Sequence, residues 1–194
     1  MKLYYAPGVC SIGIHVLLEE IGKPYQLELV SLREGAQFKP PFTGVSPKGK
    51  VPALERDDGS ILTEFPVIAR WLGRRENLMP KDDEADTRAM EAMEYAVGTM
   101  HGQGFARLFR TERFAPSPSD HEAVKAAGRE VVEKGFAVLD KAKQRKFQST
   151  LARLALAVTQ ERNIADLPAL MTAVIDRVIS EAEVPKKRKL RAKA

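Results

Sequence analysis

The chain has 194 residues, 44% of them apolar, which is enough for one domain or two small ones with a substantial core. A single cysteine excludes an internal disulfide framework and fits a reducing compartment. No signal-peptide pattern follows Met1, and no apolar run is long enough to span a bilayer, so a soluble cytoplasmic protein is expected. The net charge of +5 is concentrated in residues 186–194 (KKRKLRAKA), which carry six positive charges and no acid; the remaining body is one charge negative, and its composition gives no reason to expect nucleic-acid binding.

Residues 2–5 (KLYY) read as a short strand. From Ser11 to Ile21 the spacing predicts a helix with Ile12, Val16 and either Ile14 or Leu17 on one face and Glu19–Glu20 turned away. Gly22-Lys23-Pro24 ends it, since glycine accepts the left-handed cap and proline cannot continue a helix. Tyr25 to Val30 alternates as a strand, with Tyr25, Leu27 and Leu29 on one side. Two strands joined by a helix form a right-handed parallel unit. Residues 31–50 are loop-like, rich in proline and glycine. Residues 51–55 and 61–63, separated by Asp57-Asp58-Gly59-Ser60, read as a hairpin, and a helix follows from Phe65 to Leu72 with Pro66 in its first turn. The order βαβ-ββα is that of an α/β thioredoxin-like domain, placed at residues 1–76.

No strand pattern follows residue 84, so the second half is expected to be an all-α domain over 84–185. It is read as a helical stretch interrupted at Gly102-Gln103-Gly104, then a helix running to about Lys146 with a Ser119/Glu122 capping box at its start. The expected buried positions of that helix are Val124, Val131, Val132, Gly135, Val138 and Leu139. Two further helices are expected at about 149–161 and 164–183, with Asn163-Ile164-Ala165-Asp166 capping the second. The basic tail 186–194 reads as a disordered, solvated end, although it resembles a nucleic-acid or nuclear-import patch.

Cys10 lies one residue before the first helix. There the helix dipole and free backbone N–H groups would stabilise a thiolate, the reactive form of cysteine. Gly13 stands where a dithiol oxidoreductase would carry its second cysteine, so Cys10 cannot resolve a mixed disulfide within its own chain, which disfavours repeated disulfide reduction. Binding or transferring an external thiol remains open, as does a plain structural role. In thioredoxin-like folds a proline, usually preceded by a cis bond, opens the third strand and faces the first helix; Val51-Pro52 occupies that place. Val51 would then expose backbone for an extended peptide, and Glu64, at the start of the next helix, could meet an amine. A thiol, an open backbone edge and a carboxylate together describe a site for a short thiol peptide.

The stretches MKLYYAPGVCSI and SPKGKVPALERDDGSILTE, followed by a polar linker into a helical half, resemble a bacterial glutathione S-transferase of the beta-class type over residues 1–140. The resemblance implies an enzyme that conjugates the thiol of glutathione, its co-substrate, to a small electrophile, and it implies a homodimer. It places Cys10 at the glutathione sulfur with His101 reaching back toward it. It also places Lys50, Val51, the cis-proline Pro52, Glu64 and Phe65 at the peptide, with Val51 on the cysteinyl backbone and Glu64 on the γ-glutamyl amine. Two departures stand out. Phe65 occupies a position usually held by serine, whose hydroxyl would bond the γ-glutamyl carboxylate, and the sequence after Lys143 fits the family pattern poorly. The alternatives are a transferase-fold interaction module that has lost catalysis, or a thiol reductase acting through a mixed disulfide at Cys10.

Other patterns are weaker. Arg107, Arg110 and Arg113, interleaved with Phe105, Leu108, Phe109 and Phe114, either line an electrophile pocket or form the solvated face of an amphipathic helix. His15, His101 and His121 lack metal-ligand spacing, and no metal is expected.

Overall fold

The computed structural model describes residues 1–144, all within one compact unit. The first half contains β1 (Lys2–Tyr5), α1 (Ser11–Ile21), β2 (Gln26–Leu29), a 3-10 turn (Ala36–Phe38), α2 (Phe42–Val45), β3 (Ala53–Glu55), β4 (Ile61–Thr63) and α3 (Phe65–Arg75). The four strands form one sheet in the order β2-β1-β3-β4, parallel between β1 and β2 and antiparallel elsewhere. This is the expected thioredoxin-like arrangement, with the addition of α2 and the 3-10 turn inside the stretch read as loop.

The alternation of side chains along the strands builds two cores. Leu3 and Leu54, paired across β1 and β3, face Ile14, Leu17 and Leu18 of α1 and Phe65, Ile68 and Leu72 of α3. Their neighbours Tyr4 and Ala53 face the other way, against Val30, Phe42 and Val51. Gly22 takes φ 66° to cap α1 and its N–H bonds Leu18 and Glu19 carbonyls, as the Gly-Lys-Pro signal requires. In the hairpin, Gly59 at φ 77° lets the chain reverse while Arg56 N–H bonds the Ser60 carbonyl at 2.9 Å.

One expectation in this half is corrected. The buried face of α1 is Ile14, Leu17 and Leu18, with Ile12 and Val16 only half-buried, because the helix presents this face to Leu3 and Leu54. Leu27 and Leu29 are exposed, at 42% and 57%, because β2 is an edge strand and all four of its residues are open to solvent.

The helical half begins with α4 (Asp83–Glu94), capped by Asp82, whose Oδ1 accepts from Ala85 N–H at 2.9 Å. A π-helical segment (Tyr95–Phe105), α5 (Ala106–Phe109) and α6 (His121–Gln144) follow, with short 3-10 turns at Thr111–Arg113 and Pro118–Asp120. Gly102 and Gly104 therefore widen the helix instead of interrupting it. The glycines also let two helices touch. A Cβ on Gly135 would lie 2.5 Å from Met100 Cγ, and one on Gly104 2.7 Å from Val132 Cγ2. Val132 and Gly135 are buried as expected, whereas Val138 is 50% exposed and Gly128 joins the buried face. Ser119 lies in a 3-10 turn and bonds Ser117 and Asp120, so it does not form the expected capping box with Glu122, which pairs with Lys125. The helices expected at 149–161 and 164–183, the Asn163–Asp166 cap, the remainder of the 84–185 domain and the basic tail lie outside the described residues.

Ala89, Met93 and Ala96 complete the same core as Leu3 and Leu54, so the helical half closes the sheet domain. An ion triad reinforces this junction. Arg70 and Arg74 of α3 donate to Asp86 Oδ2 of α4 at 2.7 and 2.6 Å; the Asp86 side chain is 5% exposed, against 41% and 50% for the arginines. The Arg70 hydrogen bond, with Arg74 in support and burial opposing, holds the Asp86 carboxyl below its ordinary value. The stability it contributes is thus complete above the usual aspartate range and is lost as pH falls through the lower folded value.

The triad predicts an asymmetry. Asp86→Ala frees two half-exposed arginines that rehydrate and should cost about 1–3 kcal/mol. The Arg70→Ala/Arg74→Ala double variant strands a buried carboxylate and should cost about 3–5 kcal/mol. Urea unfolding at neutral pH measures both, and a double variant no less stable than Asp86→Ala would contradict the account.

Candidate active site

The sheet register brings the predicted residues to one end of the domain. Tyr4 pairs with Ala53, and Ala53 pairs with Thr63. The exit of β1 toward Cys10, the entry of β3 from Val51-Pro52 and the exit of β4 into Glu64 therefore meet at the same sheet edge. Cys10 and Val51, 41 positions apart, become neighbours through this pairing.

Cys10 is the N-cap residue of α1, half-buried, and its side chain makes no capping bond. Its Sγ instead donates to the Val51 carbonyl at 3.6 Å, which places the thiol against the start of β3. Ser11 anchors this junction. Fully buried, its Oγ accepts from Ala6 N–H at 3.1 Å and donates to the Ala6 carbonyl at 2.9 Å, closing the turn that carries Cys10. The Val51–Pro52 peptide is cis, as expected, and so is Pro40–Pro41. The loop before it is tied by buried Ser46, whose Oγ donates to the Lys50 carbonyl at 3.3 Å.

Glu64 caps α3 from an unusual backbone position, φ 70° and ψ 123°, and its side chain makes no capping bond. A non-glycine residue at positive φ is strained, and such strain concentrates where side chains must be held in a particular place. The carboxylate projects to the surface, where Lys48 Nζ donates to Oε1 at 2.7 Å and to Thr63 Oγ1 at 2.9 Å. Phe65 is 4% exposed, in the core with Ile68 and Leu72. Its ring therefore lies in the core and supplies no polar group in place of the serine hydroxyl.

His101 sits half-buried in the π-helical segment. Burial first, then the positive charge of Lys50, hold its pKa below the ordinary histidine value. This electrostatic coupling links the helical half to the 46–52 loop. The other histidines serve locally: His15 packs between the Tyr5 and Tyr25 rings and lies 3.8 Å from Glu19, and His121 Nε2 meets the Ala115 carbonyl at 3.1 Å. Among the described residues, no group of three histidine, cysteine or acidic side chains is placed to hold a metal. Arg107 is engaged within its own segment, bonding Gln103 Oε1 at 2.8 Å and covering the Phe114 ring at 4.6 Å, while Phe105 and Phe109 stack.

Three contributors were not singled out in the sequence: Ser11, Ser46 and Lys48. Ser11 and Ser46 show no signal beyond position, since their work depends on burial. Lys48 lies inside the quoted SPKGKVPAL stretch, but its partner is sixteen residues away and is reached only through the hairpin.

Residues 9–75 match the family model described as glutathione S-transferase, N-terminal domain. Glutathione S-transferase GstA of Escherichia coli O157:H7 is 37% identical over 117 residues, 58% of this chain and 58% of that protein, so the match spans little more than half of this curated relative. Among solved structures, a glutathione transferase homologue from Sulfitobacter with bound glutathione superposes with a TM-score of 0.75 at 27% identity, covering 91% of each chain. The beta-class glutathione S-transferase of Sphingomonas chungbukensis gives a TM-score of 0.71 at 27% identity, covering 93% of this chain and 94% of that one. Residues 9–75 therefore resemble a glutathione S-transferase N-terminal domain, within a chain similar in fold to bacterial beta-class glutathione S-transferases.

Proposed function

We propose that this protein is a glutathione transferase that joins the thiol of glutathione to a small electrophile. The observation that carries this reading is the meeting of Cys10 Sγ with Val51 at 3.6 Å, at the sheet edge where β4 delivers Glu64. In this reading the domain of residues 1–76 holds the peptide in an extended form. Val51 supplies backbone for the cysteinyl residue, beside Pro52; Lys50 adds positive charge; Glu64 takes the γ-glutamyl amine; and the Phe65 backbone N–H lies at the start of α3. The helical domain contributes His101. The protein acts as a homodimer in the cytoplasm. Support comes from the similarity to a Sulfitobacter homologue solved with glutathione.

The chemistry follows from placement. Fixing the peptide brings its sulfur beside Cys10 and makes its encounter with a bound electrophile effectively unimolecular. His101, kept neutral by burial and by Lys50, can accept the thiol proton in a hydrogen bond. The sulfur then bonds the electrophilic carbon, the leaving group departs with its bonding electrons, and the proton passes to solvent. The interaction-module alternative draws on Phe65, which lacks the serine hydroxyl, and on the basic tail.

Calorimetry in reducing buffer should show glutathione binding at millimolar affinity or tighter, weakened or otherwise altered by about threefold or more in Cys10→Ala. A folded protein that takes up no glutathione would return the fold to a non-catalytic role. The protonation of His101 makes a separate prediction: its imidazole resonances should titrate with a midpoint below 6.5, and Lys50→Met should raise that midpoint. A midpoint at or above 6.5, or one indifferent to Lys50, would remove His101 from the neighbourhood of the loop.

A further inference from the structure

The carboxylate that would receive an amine already holds one. Lys48 Nζ sits 2.7 Å from Glu64 Oε1 and 2.9 Å from Thr63 Oγ1, so an ammonium group occupies the seat assigned to the γ-glutamyl amine. Both side chains of this pair are about half exposed, 52% for Lys48 and 53% for Glu64. An ion pair open to water to this degree is worth little and opens readily. The position after Glu64 is Phe65, whose buried ring has no hydroxyl to offer a carboxylate.

We propose that Lys48 is the carboxylate-recognising residue of the γ-glutamyl seat, and that the ligand enters by inserting its own zwitterion into the Lys48–Glu64 ion pair. The proposal rests on the reading of the site as a glutathione site. The γ-glutamyl group carries an ammonium and a carboxylate on one carbon, matching an anion and a cation that already lie side by side. On binding, the ligand ammonium replaces Lys48 at Glu64, and Lys48 takes the ligand carboxylate. One exposed pair is exchanged for two, so no charge is left alone. The Lys48 ammonium thereby supplies the contact that a hydroxyl at position 65 would make. Thr63, which also accepts from Lys48, holds the ammonium near Glu64 before exchange. The consequence is selectivity: the seat favours a free α-amino acid end over a peptide end carrying either charge by itself.

The test compares three tripeptides by calorimetry: glutathione, its decarboxylated analogue (4-aminobutanoyl-Cys-Gly) and its deaminated analogue (glutaryl-Cys-Gly). The wild type should bind the decarboxylated analogue about tenfold more weakly than glutathione. In Lys48→Met that ratio should fall to near one while discrimination against the deaminated analogue persists, and Lys48→Arg should restore the ratio. The thermal midpoint should stay unchanged, because Lys48 is exposed. If Lys48→Met keeps the tenfold ratio, Lys48 does not read the carboxylate and the proposal fails while the glutathione reading stands. If Lys48→Met binds glutathione more tightly with the ratio intact, Lys48 only plugs the seat, which also overturns the proposal. A wild type that binds none of the three peptides ends both the proposal and the reading beneath it.

Discussion

The antiparallel pairing of β1 with β3 is the constraint on which the site depends. It sets Tyr4 opposite Ala53, so the turn leading to α1 and the cis bond leading into β3 must share one edge of the sheet. The next pairing, Ala53 with Thr63, brings Glu64 to that edge as well. A one-residue slip of β3 would turn Leu54 toward α2 and Ala53 toward α1. The apolar cores that forbid this slip are therefore also what align the thiol with Val51. Burial of Leu54, fully enclosed, contributes to the geometry of Cys10 without touching it.

The helical half is joined to this frame in two ways. Ala89, Met93 and Ala96 share its apolar core, and Asp86 accepts two arginines from α3. The π-helical segment that follows carries His101 and packs on α6 through glycines too close for any side chain. A histidine in a widened turn, half-buried and under the influence of Lys50, is poised to stay neutral near neutral pH. The glycines read from sequence as a break are thus what allow the helix to press against its neighbour.

Much of this was legible in the residues. The Gly-Lys-Pro stop, the Asp-Gly hairpin and the switch from strand to helical periodicity each act locally, so sequence alone locates them, and with them Cys10, Pro52 and Glu64. What escaped was non-local. Alternation cannot tell an edge strand from a covered one, so it put Leu27 and Leu29 on one side of the strand without showing that this side is exposed. Phe65 read as a lost hydroxyl from its position alone; that its ring joins the core depends on how the start of α3 packs. Lys48 was invisible because its meaning comes from Glu64, across the hairpin. Ser119 had the composition of a cap, yet a 3-10 turn places its hydroxyl beside Ser117 and Asp120.

The central claim is that one sheet edge and one histidine from the helical half make a single peptide-binding site. Its most direct test is a titration of isotope-labelled protein with glutathione, followed residue by residue in two-dimensional amide spectra. The account predicts shifts that saturate together at Cys10, Val51, Glu64 and His101, with β2 and the α3–α4 junction at Asp86 left still. Shifts confined to another surface, or none at all at millimolar glutathione, would contradict it.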